Sequence, residues 1–178
     1  TYGGSLAMAN TVTLQNSTIS SNGGAIHVQG GTVESAATIS NCSARNGGGA
    51  YISGGSLTLT GGSISGCSAI EKGAGVYVKT GTTFTLNASS LTIGNVIYLE
   101  SGAYITVAQA IPCNIAISME TITGYPTVAV GTSNYSLTTT DMGKISAPYS
   151  LDIDTEHCSF QIAWGLKQSR CIWYNPRQ

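Results

Sequence analysis

Apolar and polar residues alternate with a period of two through most of the first hundred residues, and the alternation recurs in units. Five stretches open on glycine, at Gly3, Gly23, Gly47, Gly73 and Gly94, spaced 20, 24, 26 and 21 residues apart. They read GGSLAMA, GGAIHVQ, GGGAYISG, GAGVYVKTG and GNVIYLESG. One position is apolar in every unit (Leu6, Ile26, Ala50, Val76, Ile97), and so is the position two residues on (Met8, Val28, Ile52, Val78, Leu99). The residue between them reads Ala7, His27, Tyr51, Tyr77 and Tyr98. This spacing predicts a short strand in each unit, with one face inward and one outward.

A second strand is expected after a glycine-type turn, with Val12, Val33, Leu57, Phe84 and Ile105 on one face and Thr or Ser neighbours on the other. A third, shorter strand is centred on Ile19, Ile39, Ile64 and Leu91. Units of this length cannot bury their apolar faces alone; they do so by stacking. The expected fold is therefore all-β, a parallel β-helix (a solenoid of about five coils). Stacking at ~4.8 Å per coil requires tight corners, and glycine supplies backbone angles there that other residues resist.

Beyond Ala108 the glycine rhythm fails and Pro112 and Pro126 appear. Residues 1–108 are accordingly read as β-helix repeats and 109–178 as an irregular, β-rich C-terminal cap covering the last open edge. Within it, Leu151 and Ile153 alternate with Asp152 and Asp154, and Thr155 to His157 is expected to form a hairpin turn.

Composition narrows the function classes. Hydrophobic residues make up 42% of the chain, too many for a disordered linker. Only 8% of residues are charged, with a net charge of -1, so recruitment by nucleic acid or an anionic membrane is not indicated. No apolar run approaches the roughly 18 residues needed to span a bilayer. The chain opens in mid-pattern, as expected of a piece of a longer polypeptide.

The stretch GGAIHVQGGTVESAATISNCSARNGGGAYISGGSLTLTGGSISGCSAIEKGAGVYVKTGTTFTL, Gly23 to Leu86, resembles a common bacterial surface repeat. That repeat runs Gly-Gly-Val-Tyr-Val, then Gly-Gly-Thr, then Ile-Ser-Gly-Asn. It is also similar to the GGA[I/L/V/Y] motif of the polymorphic membrane protein (Pmp) adhesins, matched at Gly23–Ile26 and Gly48–Tyr51. The resemblance covers about residues 1–108. It implies a right-handed parallel β-helix displayed outside the cell, and it carries no catalytic residue, metal or cofactor to transfer.

Candidate sites are few. His27, Tyr51, Tyr77 and Tyr98 place rings on consecutive coils of one outer face, either as a ligand or partner platform or as a ladder that stabilises the sheet. The row Thr13, Glu34, Thr58, Thr85, Thr106 resembles the flat Thr-x-Thr array of ice-binding solenoids, but Glu34 and the neighbouring Tyr104 break its regularity. Glu34, Glu71 and Glu100 stand singly in their coils, whereas a lyase or glycosidase needs clustered carboxylates. Asp152, Asp154 and Glu156 read as a solvated strand face, and neither His27 nor His157 belongs to a Ser or Cys nucleophile arrangement that would support a triad. Of the 5 cysteines, Cys42 and Cys67 occupy equivalent positions in adjacent coils. Stacked side chains resist the torsion a disulfide needs, so a buried pair of free thiols is expected there. Cys158 and Cys171 are the better disulfide candidates.

These readings converge on a non-catalytic secreted or cell-surface module, adhesin-like or a structural stalk, that binds glycans or proteins of a host or neighbouring cell. The alternatives are a polysaccharide-binding or polysaccharide-degrading β-helix of the lyase or tailspike type and, as a minor one, an ice-binding solenoid.

Overall fold

A computed structural model describes residues 2–120, 127–147, 151–154 and 171–174. The chain winds in stacked coils. The first holds β1 (Tyr2–Met8) and β2 (Thr13–Gln15), and the second β3 (Ile26–Val28), β4 (Gly30–Ser35), β5 (Thr38–Ser40) and β6 (Ser43–Asn46). Then come β7 (Ala50–Ile52), β8 (Ser56–Leu59), β9 (Ser63–Ser65) and β10 (Ser68–Lys72), followed by β11 (Val76–Val78), β12 (Thr83–Leu86) and β13 (Thr92–Ile93). The series continues with β14 (Ile97–Leu99), β15 (Ile105–Val107), β16 (Ile115–Met119) and β17 (Thr127–Gly131). Last are a short helix α1 (Thr139–Gly143), β18 (Ile145–Ser146), β19 (Leu151–Asp154) and β20 (Cys171–Tyr174).

Every strand pairing from β1 to β18 is parallel and joins equivalent positions one coil apart, as a parallel β-helix requires. Three long sheets result, in the orders β18-β16-β14-β11-β7-β3, β1-β4-β8-β12-β15-β17-β20-β19 and β13-β9-β5-β2. A fourth, of β6 and β10 alone, adds a short strand to coils two and three that the expected three strands per unit do not include.

Inward positions form columns. Ile26, Ala50, Val76, Ile97 and Ile117 follow one another in the first sheet. Val33, Leu57, Phe84 and Ile105 do so in the second, and Leu14, Ile39, Ile64 and Ile93 in the third. From the second coil onward these side chains are almost wholly removed from water, each contributing about 1.5–3 kcal/mol for the larger aliphatics and Phe84.

The first coil is out of phase with the expectation. Leu6 pairs with Val33, not with Ile26, and Leu14 takes the place assigned to Ile19. In the fourth coil Ile93, not Leu91, opposes Ile64. The reason is physical: GGSLAMA and the GGAIHVQ units share a glycine pair and a period of two, but their strands feed different sheets, and only the pairing partner distinguishes them. Leu6 lies at the open edge of β1 and is 43% exposed.

Corners set which residues are tolerated. Gly23, Gly47 and Gly73 stack with positive φ of 81°, 65° and 69°, the left-handed region that favours glycine. Next to them, a Cβ on Gly48 would stand 2.2 Å from the Ser68 carbonyl oxygen and 2.6 Å from that of Ala74, so the backbones of adjacent coils meet with no room for a side chain. A second left-handed column is filled by Asn16, Asn41 and Gly66, asparagine being the residue that best substitutes for glycine there.

Pairing continues past Ala108: β16 lies on β14 and β17 on β15, in register and parallel, although the glycine rhythm has stopped. The direction then changes, with β20 antiparallel to β17 and β19 antiparallel to β20. Residues 155–157, expected as a hairpin turn, lie outside the described residues. α1 packs at this end through Asp141, a carboxylate 1% exposed. It accepts hydrogen bonds from the Ile111 N–H at 2.9 Å, the Tyr135 hydroxyl at 2.6 Å, and the Thr138 N–H and hydroxyl at 2.9 and 2.7 Å. The Lys144 ammonium donates to the Ile111 carbonyl, so one residue of the last winding is held from both sides. Burial pushes the Asp141 carboxyl up, but its donors together outweigh that and hold it below the usual carboxylate range. The Tyr135 hydroxyl is pushed up to about 12 by burial and by its bond to Asp141.

Two outcomes are expected. Gly48→Ala should lower stability by about 3 kcal/mol or more, read as a fall in the urea midpoint; an unchanged midpoint would mean that the coils separate without cost. Asp141, with its folded value depressed, contributes stability that is complete above its ordinary value of 3.8 and lost as pH falls through the lower folded value. Asp141→Asn should therefore cost about 2 kcal/mol at neutral pH and flatten the acid limb of a thermal-melt series against pH.

Candidate functional site

The outward row of the first sheet is assembled by register alone. His27, Tyr51, Tyr77 and Tyr98 are mutual partners on β3, β7, β11 and β14, with Ser118 of β16 next in line. Ring centroids are 5.1 Å apart for His27 and Tyr51, edge to face, and 4.9 Å for each tyrosine pair, tilted by 40° and 35°. The four expected residues thus come together as a continuous ladder. The rings are tilted or edge-on to one another along the row, so the ladder is not a flat platform for stacking a sugar.

The two halves of the ladder differ. Tyr77 and Tyr98 are 8% and 3% exposed, whereas His27 and Tyr51 are half-buried. The covered half is enclosed by charge. The Lys72 ammonium lies 4.6 Å from the centre of the Tyr98 ring and donates to its hydroxyl at 2.7 Å. The Tyr77 hydroxyl donates to Glu100 at 2.8 Å, and the other Glu100 oxygen accepts from the Thr80 N–H at 3.1 Å. Burial, then the Glu100 carboxylate, pushes the Tyr77 phenol well above its ordinary value. The Lys72 ammonium is raised, first by its bond to Tyr98.

The open half is less enclosed. The His27 ring nitrogen lies 3.0 Å from the Ser53 hydroxyl, and burial lowers the imidazole from its ordinary value. Tyr51 is raised by burial and then by Glu100. This is the part of the row where aromatic edges, a hydroxyl and an imidazole are all within reach of a ligand.

Other candidates are dispersed. Glu71 accepts from Arg45 at 2.7 Å and from the Asn46 amide at 2.9 Å on an exposed ledge, and these bonds, Asn46 first, hold it below the usual carboxylate range. Glu34 is exposed on β4, where its neighbour in the first coil is Ala7, not Thr13, so the hydroxyl row is shorter than the sequence spacing suggests. Asp152 and Asp154 lie on β19, while Glu156 and His157 fall outside the described residues. Cys42 and Cys67 are free and buried, as expected. Cys158 is outside the described residues, and Cys171 belongs to β20. Among the described residues no group of three or more His, Cys, Asp or Glu is placed to hold a metal ion. No described helix is long and apolar enough to cross a membrane.

Sequence reasoning missed Lys72 and Glu100 as parts of the ladder, and Asp141 altogether. The signal for Asp141 was present: Thr138 and Asp141 form a capping box, a hydroxyl residue followed three positions later by an acid.

Comparison with known proteins matches residues 2–118 to the family described as right handed beta helix region, a span that reaches into β16, past the end of the glycine rhythm. The chain belongs to the right-handed β-helix family. No curated protein and no solved structure matches it. For this β-helix the handedness expected from the bacterial repeat is thereby established, while the Pmp-like adhesin likeness rests on the motifs alone.

The two halves of the ladder should separate on mutation. Tyr77→Ser is expected to cost about 3 kcal/mol or more, as for removal of a buried aromatic, and Tyr51→Ser about 1–2 kcal/mol. Equal losses by chemical denaturation would show that the ladder is uniform.

Proposed function

We propose that this β-helix is a non-catalytic module of the cell surface or extracellular space, adhesin-like or a structural stalk, which presents a lateral face to glycans or proteins of a host or neighbouring cell. The observation that carries this reading is the use made of its carboxylates. Glu71, Glu100 and Asp141 each spend their oxygens on an adjacent coil or on the cap. Acid-base cleavage of a polysaccharide needs a pair of carboxylates over an open groove, and calcium-assisted elimination needs several converging on one ion. Here they serve as clamps between windings, which stiffens the solenoid and leaves a surface of hydroxyls, amides and a few ring edges.

Such a surface suits recognition by many weak polar contacts. The contact face is the open half of the ladder, His27 and Tyr51 with Ser53, where polar groups and ring edges are accessible together. The low charge of the chain favours neutral glycans or protein surfaces over polyanions. Extracellular placement is supported by the resemblance of Gly23 to Leu86 to repeats of bacterial surface proteins.

A glycan array run beside a polysaccharide-cleavage screen tests the reading. Binding of a glycan or surface protein that is weakened at least tenfold by Tyr51→Ser, with unchanged far-ultraviolet circular dichroism, is the expected result. Turnover of any polymer would overturn it in favour of the polysaccharide-degrading alternative.

A further inference from the structure

The chain holds two Asn-Gly dipeptides, Asn22-Gly23 and Asn46-Gly47, in the near-identical settings SNGG and RNGG. An asparagine followed by glycine is the one whose side chain cyclises most readily, because glycine has no Cβ to hinder attack of its backbone nitrogen on the amide carbon. By sequence the two sites are equally reactive. The coil stack makes them unequal.

Both glycines are left-handed and occupy one corner of successive coils. Their nitrogens are held alike: the Gly23 N–H donates to the Asn46 carbonyl at 2.9 Å, and the Gly47 N–H to the Lys72 carbonyl at 3.1 Å. The side chains are held differently. Asn46 Nδ2 donates to Glu71 at 2.9 Å and to Asn22 Oδ1 at 3.3 Å, while Asn46 Oδ1 accepts from the Lys72 N–H at 3.1 Å. Among the described residues the Asn22 amide has only the bond from Asn46. Both asparagines are half-buried, so water reaches each. To cyclise, Asn46 must give up all three of its side-chain bonds, and the one to a carboxylate is of the stronger kind. Asn22 gives up one.

We propose that Asn22 is a site of spontaneous deamidation in the folded protein, and that Glu71 and Lys72 shield Asn46 from the same reaction. The Gly23 nitrogen loses its proton and bonds to Asn22 Cγ; the Cγ–Nδ2 bond breaks and ammonia leaves, giving a cyclic imide. Water opens the imide to aspartate or isoaspartate, so the net change is water taken up and ammonia released, with no oxidant. The step proceeds through a local opening that frees the Gly23 N–H from Asn46. Its product sets a carboxylate against the Asn46 amide that Glu71 already uses, bringing like charges to one corner. Isoaspartate also routes the backbone through the side-chain carbon, which undoes the bond between Gly23 and Asn46 and weakens the corner that joins the first windings.

The full chain is incubated at mildly alkaline pH, folded and in urea, and digested at intervals. Tandem mass spectrometry reads the deamidated fraction at each asparagine, and an isoaspartate methyltransferase labels the rearranged product. The expected result is conversion of Asn22 at least tenfold faster than Asn46 in the folded chain, with the two rates converging in urea. Glu71→Ala, shown to be folded by circular dichroism, should speed Asn46 at least threefold and leave Asn22 unchanged; the wild-type comparison needs no variant to fold. No conversion of Asn22 in the folded chain, equal folded rates, or a difference that persists undiminished in urea would each overturn the proposal. So would an Asn46 rate unmoved by Glu71→Ala in a folded variant.

Discussion

Each coil of this protein hydrogen-bonds to the next in register, so the nearest non-covalent neighbour of a side chain is its own counterpart one repeat away. Apolar side chains at equivalent positions then make columns, as Val28, Ile52, Val78 and Leu99 do along the first sheet. Burial is won between coils and not within them, which is why short strands of three or four residues suffice. The same constraint brings corner backbones so close that glycine and asparagine are the residues that fit, and it gives the chain a composition that would suggest a linker if read without its period.

Register also governs charge. A like charge repeated at one position would stack on itself at one coil spacing, with little solvent between, and such pairs are destabilising. Charged residues are accordingly sparse, and where they occur a different partner stands on the adjacent coil: Glu71 beside Arg45, Tyr98 beside Lys72, Tyr77 beside Glu100. The low charge of the sequence is a consequence of the architecture, and Glu71, Glu100 and Asp141 are drawn into holding windings together. A surface left rich in hydroxyls and ring edges follows from the same rule.

The two ends of the described solenoid are treated differently. Toward the C-terminus the parallel series gives way to antiparallel strands and a helix anchored by a saturated, buried carboxylate at the last winding. Toward the N-terminus the edge of β1 leaves Leu6 partly in water. A solenoid grows or stops by what pairs with its last strands, and Asp141 shows how a single polar residue can fasten the stop to the core column at Ile111.

The amino-acid sequence by itself determined the strand period, the coil length, the glycine corners and the aromatic row, because each depends only on which residues recur at a fixed spacing. It also placed Cys42 and Cys67 at matched positions. What it left open was the phase of the first coil and the continuation of winding after Ala108, since GGSLAMA and IAISM carry the right alternation without saying which strand they will meet. Only tertiary pairing decided that Leu6 faces Val33, that Ile117 extends the column of Ile97, and that half the aromatic ladder is enclosed by Lys72 and Glu100. Those outcomes depend on contacts between residues 20 or more positions apart, whose energies belong to the assembled stack and to no single repeat.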